Sequence, residues 1–248
     1  MQIVYLAAGK GTRIYKDIKK NKCLIKINGK SIITRLIQNA ISNKIKKINI
    51  VVGFKKEKII KETKKYNINF IYNHQYKSTE MLHSLILAIK AIDDDLLISY
   101  TDIIYEKSVL NIILKQKNND LTMPILTNWR KVWSIKGKPI SEDVESLKFK
   151  NNFLTEIGKK VFDEHEVQGQ YMGLLYIPKY KRREIISIYE GRRNKKKQLT
   201  QFINNYIKFS KCKVIPINKS WYEFDDIQDI KNFRRNFLID DQNKLIFK

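Results

Sequence analysis

Apolar positions along this chain keep one rhythm up to residue 120 and another after it. Ile3-Val4-Tyr5-Leu6 is a short continuous apolar run, the pattern of a strand buried on both faces. Ser31 stands ahead of Ile33, Leu36, Ile37, Ala40 and Ile41, which recur at helical spacing behind a capping residue. Residues 48–52, closed by Gly53, read as a strand, residues 55–65 as a charged surface helix, and residues 68–72 as a short strand. Leu82, Leu85, Ile86 and Ile89 mark a further amphipathic helix, and residues 95–99 a strand that runs into Tyr100-Thr101-Asp102. Short apolar strands alternating with helices predict βαβ units and a mostly parallel sheet. Ligands of such sheets gather at the carboxyl ends of strands, where residues 9–13 and Asp102 both fall.

After residue 120 the pattern changes. Residues 121–126, 144–149, 153–157 and 171–177 are strand-like with little helix between them. Helices resume at 179–190 and 198–207, followed by a strand at 214–217 and a helix at 226–237. No linker and no internal repeat interrupts the chain. The middle region therefore reads as a β-rich insertion that completes a pocket within one domain spanning residues 1–248.

Composition narrows the picture. The chain has 248 residues, 43% hydrophobic and 11% aromatic, enough for a full core. It has no run of about 18 apolar residues and no signal-peptide layout, so no membrane partner is expected and a cytoplasmic setting is the simplest. Cys23 and Cys212 give no disulfide framework, and His74, His83 and His165 are scattered. The formal net charge is +24, which attracts polyanions. Lysines are nonetheless spread along the whole chain, with the densest runs at 16–22 and 192–197. The second run reads as a solvated loop.

The chemistry concentrates in Leu6-Ala7-Ala8-Gly9-Lys10-Gly11-Thr12-Arg13, a glycine loop directly after a strand. Gly9 and Gly11 let amide N–H groups approach an anion, and Arg13 offers two-pronged bonds to phosphate oxygens. A P-loop spacing is absent, and Ile14 occupies the place of the third glycine of a dinucleotide fingerprint. What remains is L-x-A-G-x-G-T-R with Lys22 nine residues later. This string resembles the signature of nucleotidyltransferases that join an NTP to a phosphorylated small molecule.

The resemblance runs along nearly the whole chain. Asn73-His74-Gln75-Tyr76, Thr79-Glu80-Met81-Leu82-His83-Ser84-Leu85, Ile98-Ser99-Tyr100-Thr101-Asp102-Ile103 and Trp221-Tyr222-Glu223-Phe224-Asp225 appear in family order. They are similar to cytidylyltransferases acting on phosphocholine and related headgroups. Residues 142–148, 156–160 and 169–174 are similar to a bacterial subgroup that handles phosphocholine, 2-aminoethylphosphonate or phosphorylated glutamine in capsule synthesis. The resemblance implies a nucleotidyltransferase fold, an α/β Rossmann-like mixed sheet flanked by helices. Residues 1–120 would then be the nucleotide-binding half, and residues 121–248 would bind the acceptor and carry the C-terminal metal aspartate. It also implies Mg²⁺-dependent transfer of CMP from CTP to a small anionic phosphate or phosphonate acceptor, with release of pyrophosphate.

Residue roles follow from the same resemblance. Arg13 would hold the departing phosphates, and Lys22 would neutralise the α-phosphate and the acceptor. The family proline before that lysine is Asn21 here, and the family glycine before the first aspartate is Thr101. Asp102 and Asp225 match the two Mg²⁺ carboxylates, with Asp226 the rival of Asp225. Leu6, Ala7, Ala8, Gly9, Gly11 and Thr12 would bind the nucleotide through their backbone, with Ser84 and Tyr100 near base and ribose. For the acceptor, Trp129, Trp133, Tyr171 and Trp221 offer aromatic faces to an ammonium group, and Glu142, Asp143 and Glu145 offer carboxylates. The same aromatic residues fit a core role, and the same acids an exposed one. A sugar-1-phosphate nucleotidyltransferase shares the glycine loop and both aspartates, although residues 142–148 and 169–174 argue against it. A basic nucleic-acid-binding domain accounts for the charge but not for the loop, and no RNP-like or zinc-finger motif is present. The oligomeric state is not legible in the chain.

Overall fold

The computed structural model describes residues 1–116, 119–139, 144–191 and 198–248. The chain runs β1 (Gln2–Ala7), α1 (Thr12–Ile18), β2 (Lys26–Ile27), β3 (Lys30–Ser31), α2 (Ile32–Ser42), β4 (Ile48–Val52), α3 (Lys56–Thr63), β5 (Ile68–Tyr72) and α4 (Met81–Ala91). It continues through β6 (Leu96–Tyr100), β7 (Ile103–Tyr105), α5 (Lys107–Lys115), β8 (Leu121–Leu126), α6 (Trp129–Lys136), β9 (Glu145–Lys150), β10 (Phe153–Lys160), β11 (Gln170–Tyr171) and β12 (Leu174–Ile177). It closes with α7 (Arg182–Glu190), α8 (Leu199–Tyr206), β13 (Cys212–Ile217), β14 (Trp221–Glu223), α9 (Ile227–Asn236), β15 (Phe237–Ile239) and β16 (Leu245–Phe247).

One ten-stranded sheet organises these elements, in the order β5-β4-β1-β6-β12-β8-β13-β10-β9 with β11 on β8. β5, β4, β1 and β6 are mutually parallel, as the helix–strand alternation predicts. β8 and β13 pair parallel to each other, and β12 runs antiparallel to both β6 and β8. β5, β4, β1, β6, β8, β13 and β9 thus point one way, and β10, β11 and β12 the other. The sheet is mixed and mostly parallel, with helices around it. β8, β12 and β13 continue the central sheet itself, so only β11 and the β9–β10 hairpin have the character of an inserted β segment.

β1 shows why an apolar run was needed there. Its side chains alternate between two cores, Ile3, Tyr5 and Ala7 on one face, and Val4 and Leu6 with the following Ala8 on the other. Ser31 caps α2 by accepting from the Thr34 N–H at 3.3 Å. Ile41 at its end is 49% exposed, so the apolar stripe stops one residue sooner than its spacing suggests. Three helices, α1, α5 and α6, are absent from the expected pattern. α1 buries only Ile14 and has no side-chain cap, which leaves almost no periodic signal. The expected strand 171–177 is split into β11 and β12 by Gly173, whose φ is +71°; a Cβ there would lie 3.1 Å from the Tyr100 ring. Among the described residues no helix is long and apolar enough to cross a membrane.

Candidate active site

Two aspartates more than a hundred residues apart are joined by a small ribbon that stands off the main sheet. β7 and β14 pair antiparallel, with Ile103 opposite Glu223. The ladder continues one step further, where the Phe224 N–H donates to the Asp102 carbonyl at 2.9 Å. Asp102 and Asp225 therefore leave the same end of the ribbon, and both line a cavity of about 810 Å³ together with Arg13, Lys22 and Glu223.

Lys22 reaches this point from a short 3-10 turn, Lys22–Leu24. Its stem lies over Gly11, where a Cβ would sit 2.8 Å from Lys22 Cγ. Gly11 also has φ +61°, a left-handed conformation that disfavours side chains. The steric demand of the loop falls there, whereas Gly9 faces open space and has no positive φ. Asn21, standing where the family has proline, has φ −60°, and its buried side chain donates to the Phe54 carbonyl at 2.8 Å. That bond fixes the turn a proline ring would otherwise stiffen. Thr101, in place of glycine, is likewise tied down by its hydroxyl, which donates to the Leu6 carbonyl at 2.9 Å.

The charges interlock. Lys22 Nζ lies 3.1 Å from Asp102 Oδ2 and 3.2 Å from Asp225 Oδ1. Arg13 Nη2 lies 2.8 Å from Asp225 Oδ1, with its side chain 61% exposed at the mouth. Burial alone would lower the Lys22 ammonium, but Asp102, Asp225 and Glu223 together raise it above its ordinary value, so it stays charged. Burial opposes ionisation of Asp225, yet Lys22, Lys136 and Arg13 hold its carboxyl well below the usual range. Glu223 goes the other way: burial and then the neighbouring Asp225 charge push it well above the ordinary carboxylate value.

Asp102, Glu223 and Asp225 each offer an oxygen, all within 4.8 Å of one another, a cluster able to hold a divalent cation. Asp102 Oδ1 is buried without a hydrogen-bond partner, as an oxygen reserved for a ligand would be. Three hard oxygens in one cavity suit Mg²⁺. Asp226 is turned elsewhere: it caps α9 by accepting from Gln228 and Asp229 N–H groups, and it pairs with Lys138 at 2.8 Å.

Lys136 and Glu223 escaped the residue-by-residue reading. The Lys136 side chain is fully buried, 3.4 Å from Asp225 Oδ2 and 3.8 Å from Asp229 Oδ2. A signal existed, because Trp129, Val132, Trp133 and Lys136 share one buried face of α6 at helical spacing. A lysine on such a face marks a buried charge with a partner. Removing it takes one cation from two buried carboxylates, leaving Asp225 to Lys22 and Arg13 and Asp229 to Lys138, so Lys136→Met is expected to cost up to about 3 kcal/mol of stability. Denaturant titration reads this as a lower midpoint. An unchanged midpoint would show that the remaining cations hold Asp225 and Asp229 unaided.

A second, smaller cavity of about 130 Å³ adjoins the first through Glu80 and Met81, which line both. Leu6, Ala8, Gly9 and Ser84 line it, together with Asn73, Tyr76 and Thr79. Asn73 Nδ2 donates to Ser84 Oγ at 3.0 Å, which makes Ser84 part of a polar floor. Ala7 faces the opposite core, and Gly11 and Thr12 line neither cavity. Tyr100, Glu145 and Tyr171 line the large cavity.

The tryptophans are not where the acceptor reading puts them. Trp129, Trp133 and Trp221 are at most 3% exposed and belong to the core. Trp133 stacks on Trp221 at 6.1 Å and 10°, and Trp221 Nε1 donates to the Met172 carbonyl at 2.9 Å. Their rings fill space between α6 and the ribbon, and none lines the cavity. Glu142, Asp143 and the 192–197 charge run lie outside the described residues.

Known proteins agree with this architecture. Residues 3–157 match the model of the MobA-like NTP transferase domain. The CTP:phosphoglutamine cytidylyltransferase of Campylobacter jejuni is 30% identical over 249 residues, covering 93% of this chain and 98% of that protein. The bifunctional protein GlmU of Methanococcus maripaludis is 30% identical over 252 residues, and the match takes in 56% of its length. Among solved structures, the CTP:phosphocholine cytidylyltransferase of Streptococcus pneumoniae superposes with a TM-score of 0.72 at 19% identity, over 93% of this chain and 96% of that one. The inositol-1-phosphate CTP transferase of T. maritima gives 0.72 at 14% identity, over 92% and 90%. At such low identity the two structures speak for the fold, while the domain match and the full-length relative speak for the family. The chain belongs to the MobA-like NTP transferase domain family and is a nucleotidyltransferase.

Proposed function

We propose that this enzyme transfers CMP from CTP to a small phosphate- or phosphonate-bearing acceptor and releases pyrophosphate. The observation that carries the reading is the meeting of Arg13, Lys22, Asp102 and Asp225 at one cavity that adjoins a small polar pocket. The full-length relative that acts on CTP points the same way.

The small pocket receives the base. Ser84, Asn73 and Thr79 supply polar groups for its edge. The triphosphate then extends over the glycine loop toward Arg13. An acceptor oxygen attacks the α-phosphorus, and the bond from that phosphorus to the oxygen leading to the β-phosphate breaks. The acceptor oxygen is already anionic at neutral pH, so no general base is required. The work left to the protein is alignment and charge neutralisation. Lys22 is charged and placed between the carboxylates, where it meets the α-phosphate and the incoming anion; Arg13 at the mouth holds the leaving phosphates. Asp102 and Asp225, with Glu223 beside them, would hold Mg²⁺, which supplies Lewis-acid neutralisation of phosphate oxygens. A cytoplasmic setting accompanies a reaction that consumes CTP.

CTP is accordingly the expected donor. Pyrophosphate release is to be compared across CTP, UTP, dTTP, ATP and GTP at matched concentrations, with a panel of phosphorylated headgroups and hexose 1-phosphates. Preference for CTP with a headgroup supports the reading. Preference for UTP or dTTP with a hexose 1-phosphate moves the assignment to sugar-nucleotide synthesis, as in the GlmU relatives.

A further inference from the structure

The wall of the large cavity includes a second polar group, apart from the carboxylates that face Lys22. It comes from β9, β11 and the start of α8, and consists of Glu145, Gln170, Tyr171 and Thr200. Thr200 hydrogen-bonds the Glu145 carboxyl. Gln170 Oε1 and the Tyr171 hydroxyl are buried without any hydrogen-bond partner, although Tyr171 is only 8% exposed. A buried polar atom left unpaired carries a desolvation cost that a ligand of matching chemistry removes. Glu145 and Gln170 Oε1 are acceptors, and the Tyr171 oxygen accepts as well. Three acceptors, one of them a carboxyl group, ask for a cation that bears N–H groups.

The aromatic surroundings separate the kinds of cation. A quaternary ammonium has no N–H and is held by several aromatic faces. Here Tyr100 meets Tyr171 edge-on, with centroids 5.6 Å apart at 82°, and the three tryptophans are in the core. A trimethylated nitrogen would leave Gln170 and Tyr171 unpaired. We infer that the acceptor carries a primary ammonium group remote from its phosphate or phosphonate, and that Glu145, Gln170 and Tyr171 select this group over a quaternary ammonium. The inference rests on the cytidylyl-transfer reading above.

The test is a methylation series at constant charge: phosphoethanolamine, its N-methyl and N,N-dimethyl forms, and phosphocholine, each with CTP. The kcat/KM is expected to fall stepwise, by at least tenfold from first to last. Gln170→Met and Tyr171→Phe should flatten the series, and Glu145→Gln should lower kcat/KM for every member. Tyr171→Phe deletes only an unpartnered hydroxyl, so its melting temperature should hold or rise while its selectivity drops. A trimethylated acceptor used as well as the primary amine overturns the inference and leaves cytidylyl transfer standing. So does a series that the three variants leave unchanged. Turnover confined to hexose 1-phosphates with UTP or dTTP overturns both. Turnover with no member overturns the inference, and calorimetric titration with CTP then shows whether the donor reading survives.

Discussion

Asp102→Asn should lose turnover by at least about a thousandfold while keeping its fold. A single preorganised electrostatic contact to reacting phosphate is worth on the order of a hundred- to a thousandfold, and a metal ligand acts on several oxygens at once. The substitution keeps the shape of the side chain and removes its charge. It is also structurally mild, because Asp102 Oδ1 has no protein partner and Oδ2 shares Lys22 with Asp225. Asp225→Asn should be equally inactive but measurably less stable. The Asp225 carboxylate neutralises the fully buried Lys136, and its loss leaves that cation leaning on Asp229. Asp226→Asn should retain near wild-type turnover, since asparagine caps a helix as well as aspartate does. Pyrophosphate release and thermal unfolding, measured on all three, separate the roles. An active Asp225→Asn beside an inactive Asp226→Asn would exchange those two assignments.

The parts of this site that the sequence displays are those carried by one continuous segment. Residues 3–13 combine an apolar strand with a glycine loop, and both signals are local. The parallel half of the sheet is legible for the same reason, since each strand there spans five or six mostly apolar residues. The meeting of Asp102 with Asp225 is different. It depends on β7 and β14, three residues each, too short for any periodicity to register. Only the resemblance paired these aspartates, and only the ribbon explains how they meet.

Tryptophans near the ends of elements posed the opposite problem. A buried tryptophan and a ligand-stacking one have the same neighbours in sequence. What decides between them is whether α6 packs onto the ribbon, and this helix of eight residues is too short to stand out in the pattern. Once Trp129, Val132, Trp133 and Lys136 are placed on one helical face, the tryptophans must be core, and Lys136 must meet a carboxylate. The two departures from the family pattern, Asn21 and Thr101, looked like losses in the chain. In three dimensions each has a side-chain bond that restores the local geometry.

Lys22 should matter mainly to the rate of the chemical step. Lys22→Ala is expected to lower kcat by about a hundred- to a thousandfold, with a much smaller change in CTP affinity. The ammonium lies between Asp102 and Asp225, at the point where two anions must approach each other. Charge that develops there is larger in the transition state than in the bound substrates, so its neutralisation appears in kcat. Alanine also removes the stem that packs over Gly11, which confounds loss of charge with loss of packing. Lys22→Met keeps most of that stem and discards only the charge, and it should show nearly the same fall in kcat. Arg13→Ala forms the contrast. Its side chain is mostly exposed at the mouth of the cavity, and its loss should raise the Kd for CTP along with a moderate fall in turnover. Single-turnover rates and calorimetric CTP affinities for the three variants decide the matter. A Lys22→Met enzyme with normal kcat, or one whose whole defect lies in CTP binding, would move Lys22 from the reacting centre to a purely structural place between the carboxylates.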